Sequence, residues 1–360
     1  MMYCKTYRGL CMKKIFNMLI LAIVMVLIFV PGSAYGHNVD KVEMVSILEE
    51  IIEFADSIHD ESEYIVDDIE PTVGLDIELM GKAEVVHGVS HDIDRFANIA
   101  VTELNKGLET GEFNNEEIAR RITMLKGTTN AISYLIDDIE QETPSSHENY
   151  ATNLKDDYDR LEELITQLNE LAIISGLQSE TNLDPLLMGK SEVVHGVSHS
   201  IGRFANIVYN ELDAGIESGD FDEDEISRRI NMINGVTSAL SPLVSQIKQE
   251  TPESHQSYAT EIEEEHALIK DRGDQLGQLD INTDAEEMKR LADEIMDSAR
   301  SLHDSSEIIA DDVDLTQDEA PEEVPVPEPV DEDEMPGFTI LATLLAVSLV
   351  AMVGMQYKNK

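Results

Sequence analysis

Cysteine is nearly absent from this chain: among its 360 residues there are only Cys4 and Cys11. Both lie in an N-terminal segment that we expect to be removed, so the remaining protein has no thiol. Disulfides, iron–sulfur clusters, Cys-ligated zinc and thiol catalysis are thereby excluded. Tryptophan is absent altogether. The sequence also has no nucleophile–base pattern, phosphate loop or nucleotide fingerprint, and we expect a protein that is not an enzyme.

Basic residues are also scarce. The chain has 25 lysines and arginines against 73 aspartates and glutamates, which gives a formal net charge of −48 at pH 7. Nucleic acid would be repelled, because its binding requires a cationic surface that displaces counterions. The acidic residues are spread along every segment, which favours a surface adapted to high salt, where self-repulsion is screened. A cation-rich cell envelope or a specific cation-binding task would also account for this charge.

The first 36 residues have the three parts of a secretory signal. Basic residues precede an apolar run at 15–30, and Pro31 opens a segment of small residues suited to cleavage after Gly36. We therefore expect a signal peptide over 1–36 and export of the remaining chain by the cell's export machinery.

The C-terminal segment, 336–360, begins with Pro336, Gly337 and Phe338, continues as an apolar stretch and ends in a short tail with two lysines. The apolar stretch is near the lower length limit for spanning a bilayer, and the basic tail would stay cytoplasmic. This order of features resembles the archaeal PGF-CTERM sorting signal.

That resemblance implies an archaeosortase-like processing enzyme as partner, removal of the apolar tail and attachment of a lipid. The body would then lie at the cell surface, on the extracellular face of the membrane. A retained C-terminal transmembrane helix is the alternative, and it gives the same compartment. The acidic, proline-rich segment 315–335 predicts an extended stalk before the sorting segment.

The body of the chain is an internal duplication. Residues 80–152 align with 188–260 without a gap, and 44 of the 73 aligned positions are identical. This identity is far above the level expected by chance and indicates that the two segments arose by duplication. A shorter match relates 55–70 to 299–314. We assign a first repeat to 37–176 and a second to 177–314.

Both repeats have the 3–4 spacing of apolar residues typical of amphipathic helices, and no segment alternates like a strand. Asn114 and Asp222 are expected N-caps, and Thr143 and Thr251, each followed by proline, are expected to open further helices. The pattern predicts an all-α protein of eight helices, arranged as two antiparallel four-helix bundles. A continuous eight-helix array is the alternative. The eight predicted ranges are 40–70, 78–109, 114–142, 145–173, 186–217, 222–250, 253–278 and 283–313.

The histidines recur in the same pattern in both repeats. The i,i+4 pair His87/His91 recurs as His195/His199, and an H-x-x-x-E motif at 59–63 recurs at 303–307 on the related flank helix. Their helical angles predict that these pairs and their neighbouring glutamates lie on the polar side, whereas His147 and His255 face the core. In an antiparallel hairpin the flank residues and the i,i+4 pairs stand at similar heights along the helix axes, and in one of the two possible bundle handednesses they face each other. The candidate metal ligands are His59, Glu63, Glu84, His87 and His91 in the first repeat, and Glu192, His195, His199, His303 and Glu307 in the second.

Imidazole and carboxylate together suit a divalent transition metal: zinc, copper, nickel or iron. The leading hypothesis is a cell-surface helical repeat protein with one His/Glu metal site per repeat. The alternative is a structural or adhesive module that contacts other cell-envelope components, with the histidines serving as contacts between bundles. An oxidase with a buried metal pair is a third hypothesis, and it requires inward-facing carboxylates.

Overall fold

The computed structural model describes residues 35–68, 77–177 and 184–311, which are helical and contain no strand. These residues belong to one compact unit that ends at Asp314. The stalk at 315–335, the sorting segment at 336–360 and the predicted signal peptide up to residue 34 lie outside the described residues. None of the described helices has the length and apolar character that a membrane span requires.

The prediction of an all-α body is confirmed, with eight α-helices in the described ranges. A short 3-10 turn, Glu253–His255, precedes the seventh helix. The helices are α1 (Tyr35–Asp68), α2 (Ile77–Thr110), α3 (Asn115–Glu142), α4 (Glu148–Ile174), α5 (Pro185–Ser218), α6 (Glu223–Glu250), α7 (Gln256–Leu276) and α8 (Ile281–Asp311).

The predicted N-caps of α3 and α6 are confirmed, because Asn114 and Asp222 accept hydrogen bonds from the backbone three residues ahead. The prediction for the threonines was wrong. Thr143 and Thr251 end α3 and α6: each hydroxyl donates to a carbonyl four residues back, at 2.6 Å. The proline that follows each threonine forces it into an extended conformation, so the helix stops there and the next begins only at Glu148 or Gln256.

The helices pack as two rings of four. In the first ring α1 and α3 each contact α2 and α4, and in the second ring α5 and α7 each contact α6 and α8. Lys82 near the start of α2 pairs with Glu142 at the end of α3, at 2.7 Å, which makes these two helices antiparallel. The related flank helices take equivalent places: α1 packs beside α2 and α4, and α8 beside their counterparts α5 and α7.

The two rings also pack against each other, through contacts of α2 with α6, α3 with α5 and α2 with α5. Glycines allow this approach. A Cβ at Gly81 would collide with the backbone of Gly235, and one at Gly189 with the backbone of Gly127. The start of α2 is consequently buried all round, from Leu79 to Val86, and the same is true of α5. This second buried face determines where several candidate site residues lie.

Candidate metal centre

Three imidazoles meet in the first repeat, and we call them the repeat-1 cluster: His59 from α1 with His87 and His91 from α2. Their ring centroids are 4.3, 4.6 and 5.2 Å apart. One ligand atom from each ring lies within 4.8 Å of the others. The i,i+4 spacing places two rings one above the other on α2, and the packing of α1 alongside supplies the third.

The second repeat brings together the equivalent residues, the repeat-2 cluster: His195 and His199 from α5 with His303 from α8. Ring centroids are 4.4 Å apart for His195 and His303 and 4.6 Å for His199 and His303. The Nε2 atoms of His195 and His303 are only 2.9 Å apart. The flank helix α1 comes before α2 in the chain, whereas its counterpart α8 comes after α5. The same three-imidazole arrangement is therefore reached with a different order of helices in each repeat.

Carboxylates lie at the other ring nitrogen of several of these histidines. Nδ1 of His303 is 2.9 Å from an Asp304 oxygen, and Nδ1 of His59 is 3.3 Å from an Asp60 oxygen. Nδ1 of His195 is 3.5 Å from a Glu192 oxygen. An ionised carboxylate only accepts, so Nδ1 of His303 and Nδ1 of His59 donate to these aspartates, and Nε2 of His303 faces Nε2 of His195.

The 2.9 Å between Nε2 of His195 and Nε2 of His303 is a hydrogen-bond distance, so in the absence of a metal one nitrogen carries a proton and donates it to the other. A metal ion bound here would take the place of that proton and be held by both nitrogens. Metal-ligating histidines usually donate their second ring nitrogen to a carboxylate or carbonyl, as His303 does to Asp304, while Glu192 lies 3.5 Å from Nδ1 of His195. The pair therefore has the donor geometry of half a tetrahedral metal site.

Two histidines of the repeat-1 cluster, His87 and His91, have lowered pKa values, which favours the neutral form that binds metals. Burial, with the nearby His59, His91 and Arg203, lowers the pKa of His87 to about 4. Burial and His59 likewise lower the pKa of His91.

In the repeat-2 cluster, burial and His303 lower the pKa of His199. His195 differs: burial opposes its charged form, but the Glu192 carboxylate outweighs burial and raises its pKa. The Glu192 carboxylate thus makes the immediate surroundings of His195 more negative than those of His87.

Glu84 and Glu192 do not lie on the outward polar side that their helical angles predict. They are 6% and 3% exposed, because the opposite repeat covers this face of α2 and α5. Each faces an arginine of the other repeat: Glu192 accepts from Arg95 at 2.6 Å, and Glu84 is 3.5 Å from Arg203. Glu192 therefore lies between His195 and an arginine of the other repeat, and Glu84 faces an arginine of the other repeat.

Glu63 and Glu307 are exposed and lie at the rim of the clusters. Each groups within 4.8 Å with the flank histidine and aspartate of its own helix, His59 and Asp60 or His303 and Asp304. They are positioned to supply a fourth, oxygen ligand. The two aspartates were not among the predicted site residues, although the sequence has a visible sign of them: an aspartate directly follows both flank histidines.

A surface cleft of about 350 Å³ lies beside the repeat-1 cluster. It is bordered by His59 and His91 and by the acidic side chains of Asp56, Asp60 and Asp94. The exposed edge of His91 therefore faces solvent through an acidic opening.

Three described histidines outside the clusters, His147, His255 and His266, lie in or near the helical core. His255 is 4% exposed, as expected for a core-facing residue, with its Nδ1 2.8 Å from the Ser254 hydroxyl. Its counterpart His147 is only half-buried. His266 is buried, and its Nε2 lies 2.8 Å from the Thr237 carbonyl, to which it donates. These contacts leave the two clusters as the candidate metal sites.

Comparison with known proteins places the chain in no family: no family model, curated protein or solved structure matches it. The chemistry of the two clusters follows from their own geometry. Among the described residues, the groups of histidines and carboxylates close enough to hold a metal ion all lie at these two places.

Proposed function

We propose that this protein binds a divalent transition metal, one ion per repeat, between the three imidazoles of each cluster. Zinc, copper, nickel and iron all accept such nitrogen ligands, and the absence of thiols disfavours copper(I). The protein would serve in metal capture or sensing, or as a metal-stabilised scaffold. The signal peptide and the sorting segment support export and anchoring at the outer face of the cell membrane, by a lipid or by the C-terminal helix.

The observation that carries this proposal is the 2.9 Å separation of the His195 and His303 Nε2 atoms, with a carboxylate behind each ring. Zn–N bonds of about 2.0–2.1 Å in tetrahedral geometry place two ligand nitrogens about 3.4 Å apart. The two rings therefore need to separate by only about 0.5 Å to accept the ion, a shift that small side-chain rotations supply. The fourth coordination position would go to Glu307 or water.

The structural or adhesive alternative requires the histidines to serve as contacts between bundles. The rings of each cluster contact one another within their own repeat, on α1 and α2 or on α5 and α8. The contacts between repeats include glycines, Glu84, Glu192, two arginines, Asp92 against Gly196, and the Tyr134 hydroxyl, which donates to the Ala239 carbonyl. Because different residues make the two kinds of contact, metal binding is favoured over the adhesive alternative.

Equilibrium dialysis of the metal-free protein against zinc or copper, at moderate salt, tests the proposal. We expect two ions per chain, one in the His87→Ala/His91→Ala variant and none when His195→Ala/His199→Ala is added. A His147→Ala variant, altered outside the clusters, should keep both ions. Binding weaker than about 100 µM, or the same stoichiometry in all variants, would contradict it.

A further inference from the structure

The surroundings of the two clusters differ although their histidines match. We propose that the sites have unequal roles: the repeat-2 cluster retains its ion, whereas the repeat-1 cluster takes up and releases its ion through the acidic cleft. This inference rests on the proposed function, since it assigns different affinities and rates to the same two sites.

The repeat-2 cluster receives a carboxylate from the other repeat. Asp92 of α2 lies against α5, so close that a Cβ at Gly196 would collide with its carboxylate. Its Oδ2 atom is buried and has no hydrogen-bond partner within the described part of the chain. A cation held by the neighbouring His195 would compensate this buried oxygen.

The duplication does not give the repeat-1 cluster the same support. The position equivalent to Asp92 is Ser200, and the position equivalent to Gly196 is Gly88. A Cβ at Gly88 would meet nothing within 4 Å. The Asp92 carboxylate, whose Oδ2 atom is buried at the repeat interface, therefore lies beside one cluster only.

The arginines that hold the buried glutamates also differ. Arg95 donates to Glu192 at 2.6 Å, and Glu192 in turn faces His195. On the other side Arg203 is 3.5 Å from Glu84, and its side chain is 63% exposed. The residues behind His195 are thus more firmly fixed than those behind His87. Outer residues of this kind change metal affinity about 10–100-fold.

The solvent approach to the repeat-1 cluster, in contrast, is more negatively charged than the approach to the repeat-2 cluster. Asp56 and Asp94 border it, whereas the equivalent positions in the second repeat are Arg300 and Gly202. The duplicated site thus lacks two negative charges and carries one positive charge at its approach. A cleft of opposite charge raises the association rate of an ion about 10-fold or more, and salt weakens the effect. Cations should therefore reach the repeat-1 cluster faster.

Stopped-flow release of zinc to an excess of a chromogenic chelator measures the retention of each ion. The zinc-loaded protein should release two ions in two phases. The fast phase should be absent from His87→Ala/His91→Ala and the slow phase from His195→Ala/His199→Ala. Equal rates, or phases assigned the other way round, overturn the inference. A protein that loads no zinc overturns the proposed function instead.

Substitutions that exchange equivalent residues test the causes separately. Asp92→Ser should increase the slow release rate about 10-fold or more and leave the fast phase unchanged. In the variant with only the repeat-1 cluster intact, Asp56→Arg with Asp94→Gly should slow zinc uptake about 10-fold at low salt. An Asp92→Ser variant with unaltered release, or an uptake rate indifferent to both cleft charges and salt, would contradict the assigned roles.

Discussion

Replacing Glu192 by glutamine keeps the size of a buried side chain and removes the charge that links His195 to Arg95. The amide oxygen can accept from one of these two donors, but the amide nitrogen then faces the other donor. We expect Glu192→Gln to weaken zinc binding at the repeat-2 cluster while the helical fold is kept. The perturbation isolates what the carboxylate behind the histidine contributes.

The expected size follows from the burial of the three side chains. The Arg95 side chain is 49% exposed, so its ion pair with Glu192 contributes about 1 kcal/mol or less to stability after solvent screening. Glu192 is 3% exposed, and its effect on the ring orientation and basicity of His195 is the larger one. Loss of such an outer carboxylate lowers metal affinity about 10–100-fold, which is about 1.4–2.8 kcal/mol.

Competition with a zinc indicator of known affinity measures both sites, and Glu84→Gln is the matched control at the equivalent position of the first repeat. Glu84 is 3.5 Å from an exposed arginine, so its substitution should change zinc affinity less. Urea unfolding of the metal-free variants reports any general loss of stability. Equal weakening by the two substitutions, or no weakening by Glu192→Gln, would refute the proposed role of the carboxylate.

Three further predictions concern stability. Zinc at about 100 times the dissociation constant of the weaker site should raise the free energy of unfolding by about 2.7 kcal/mol through that site and by more through the tighter one. Calorimetry should therefore show that His87→Ala/His91→Ala keeps more than half of the gain, and an unchanged melting temperature of the wild type would contradict this. Gly189→Ala should cost about 3 kcal/mol in urea unfolding because its Cβ collides with the Gly127 backbone, whereas Gly88→Ala, which meets nothing within 4 Å, should be neutral or stabilising. Burial lowers the pKa of His266, so the unfolded chain binds more protons than the folded one near this pH. The free energy of unfolding of the metal-free protein should therefore fall as the pH decreases below about 6.5. His266→Gln should weaken this pH dependence, and an identical pH dependence in wild type and variant would contradict the prediction.

Local pattern predicted the helices and the matching heights of the histidines, but it left the handedness of the bundle open, and the structure shows that the imidazoles meet. The i,i+4 spacing places His87 and His91 on one face of α2. The number of residues between His59 and the short connection to α2 determines its height along the antiparallel pair of helices. The repeated flank segment predicted that His303 would do the same in the second repeat. These relations depend on one helix or on one pair of neighbouring helices, which the sequence specifies directly.

The position of Glu84 and Glu192 could not be predicted in the same way. A helical projection assumes one buried face, but α2 is buried from Leu79 to Val86 without interruption because the other repeat packs against it. That contact depends on the approach of distant backbones at Gly81 and Gly235. The adjacent valines Val85 and Val86, which cannot both face one core, were the available sign.

Crystals of the zinc-loaded protein, with data collected on both sides of the zinc absorption edge, test the central claim most directly. We predict two anomalous peaks per chain, each about 2.0–2.2 Å from three imidazole nitrogens. One peak should lie among His59, His87 and His91, and the other among His195, His199 and His303. Empty clusters, or zinc bound only to surface carboxylates, would contradict the proposal that this duplicated helical body is a metal-binding protein.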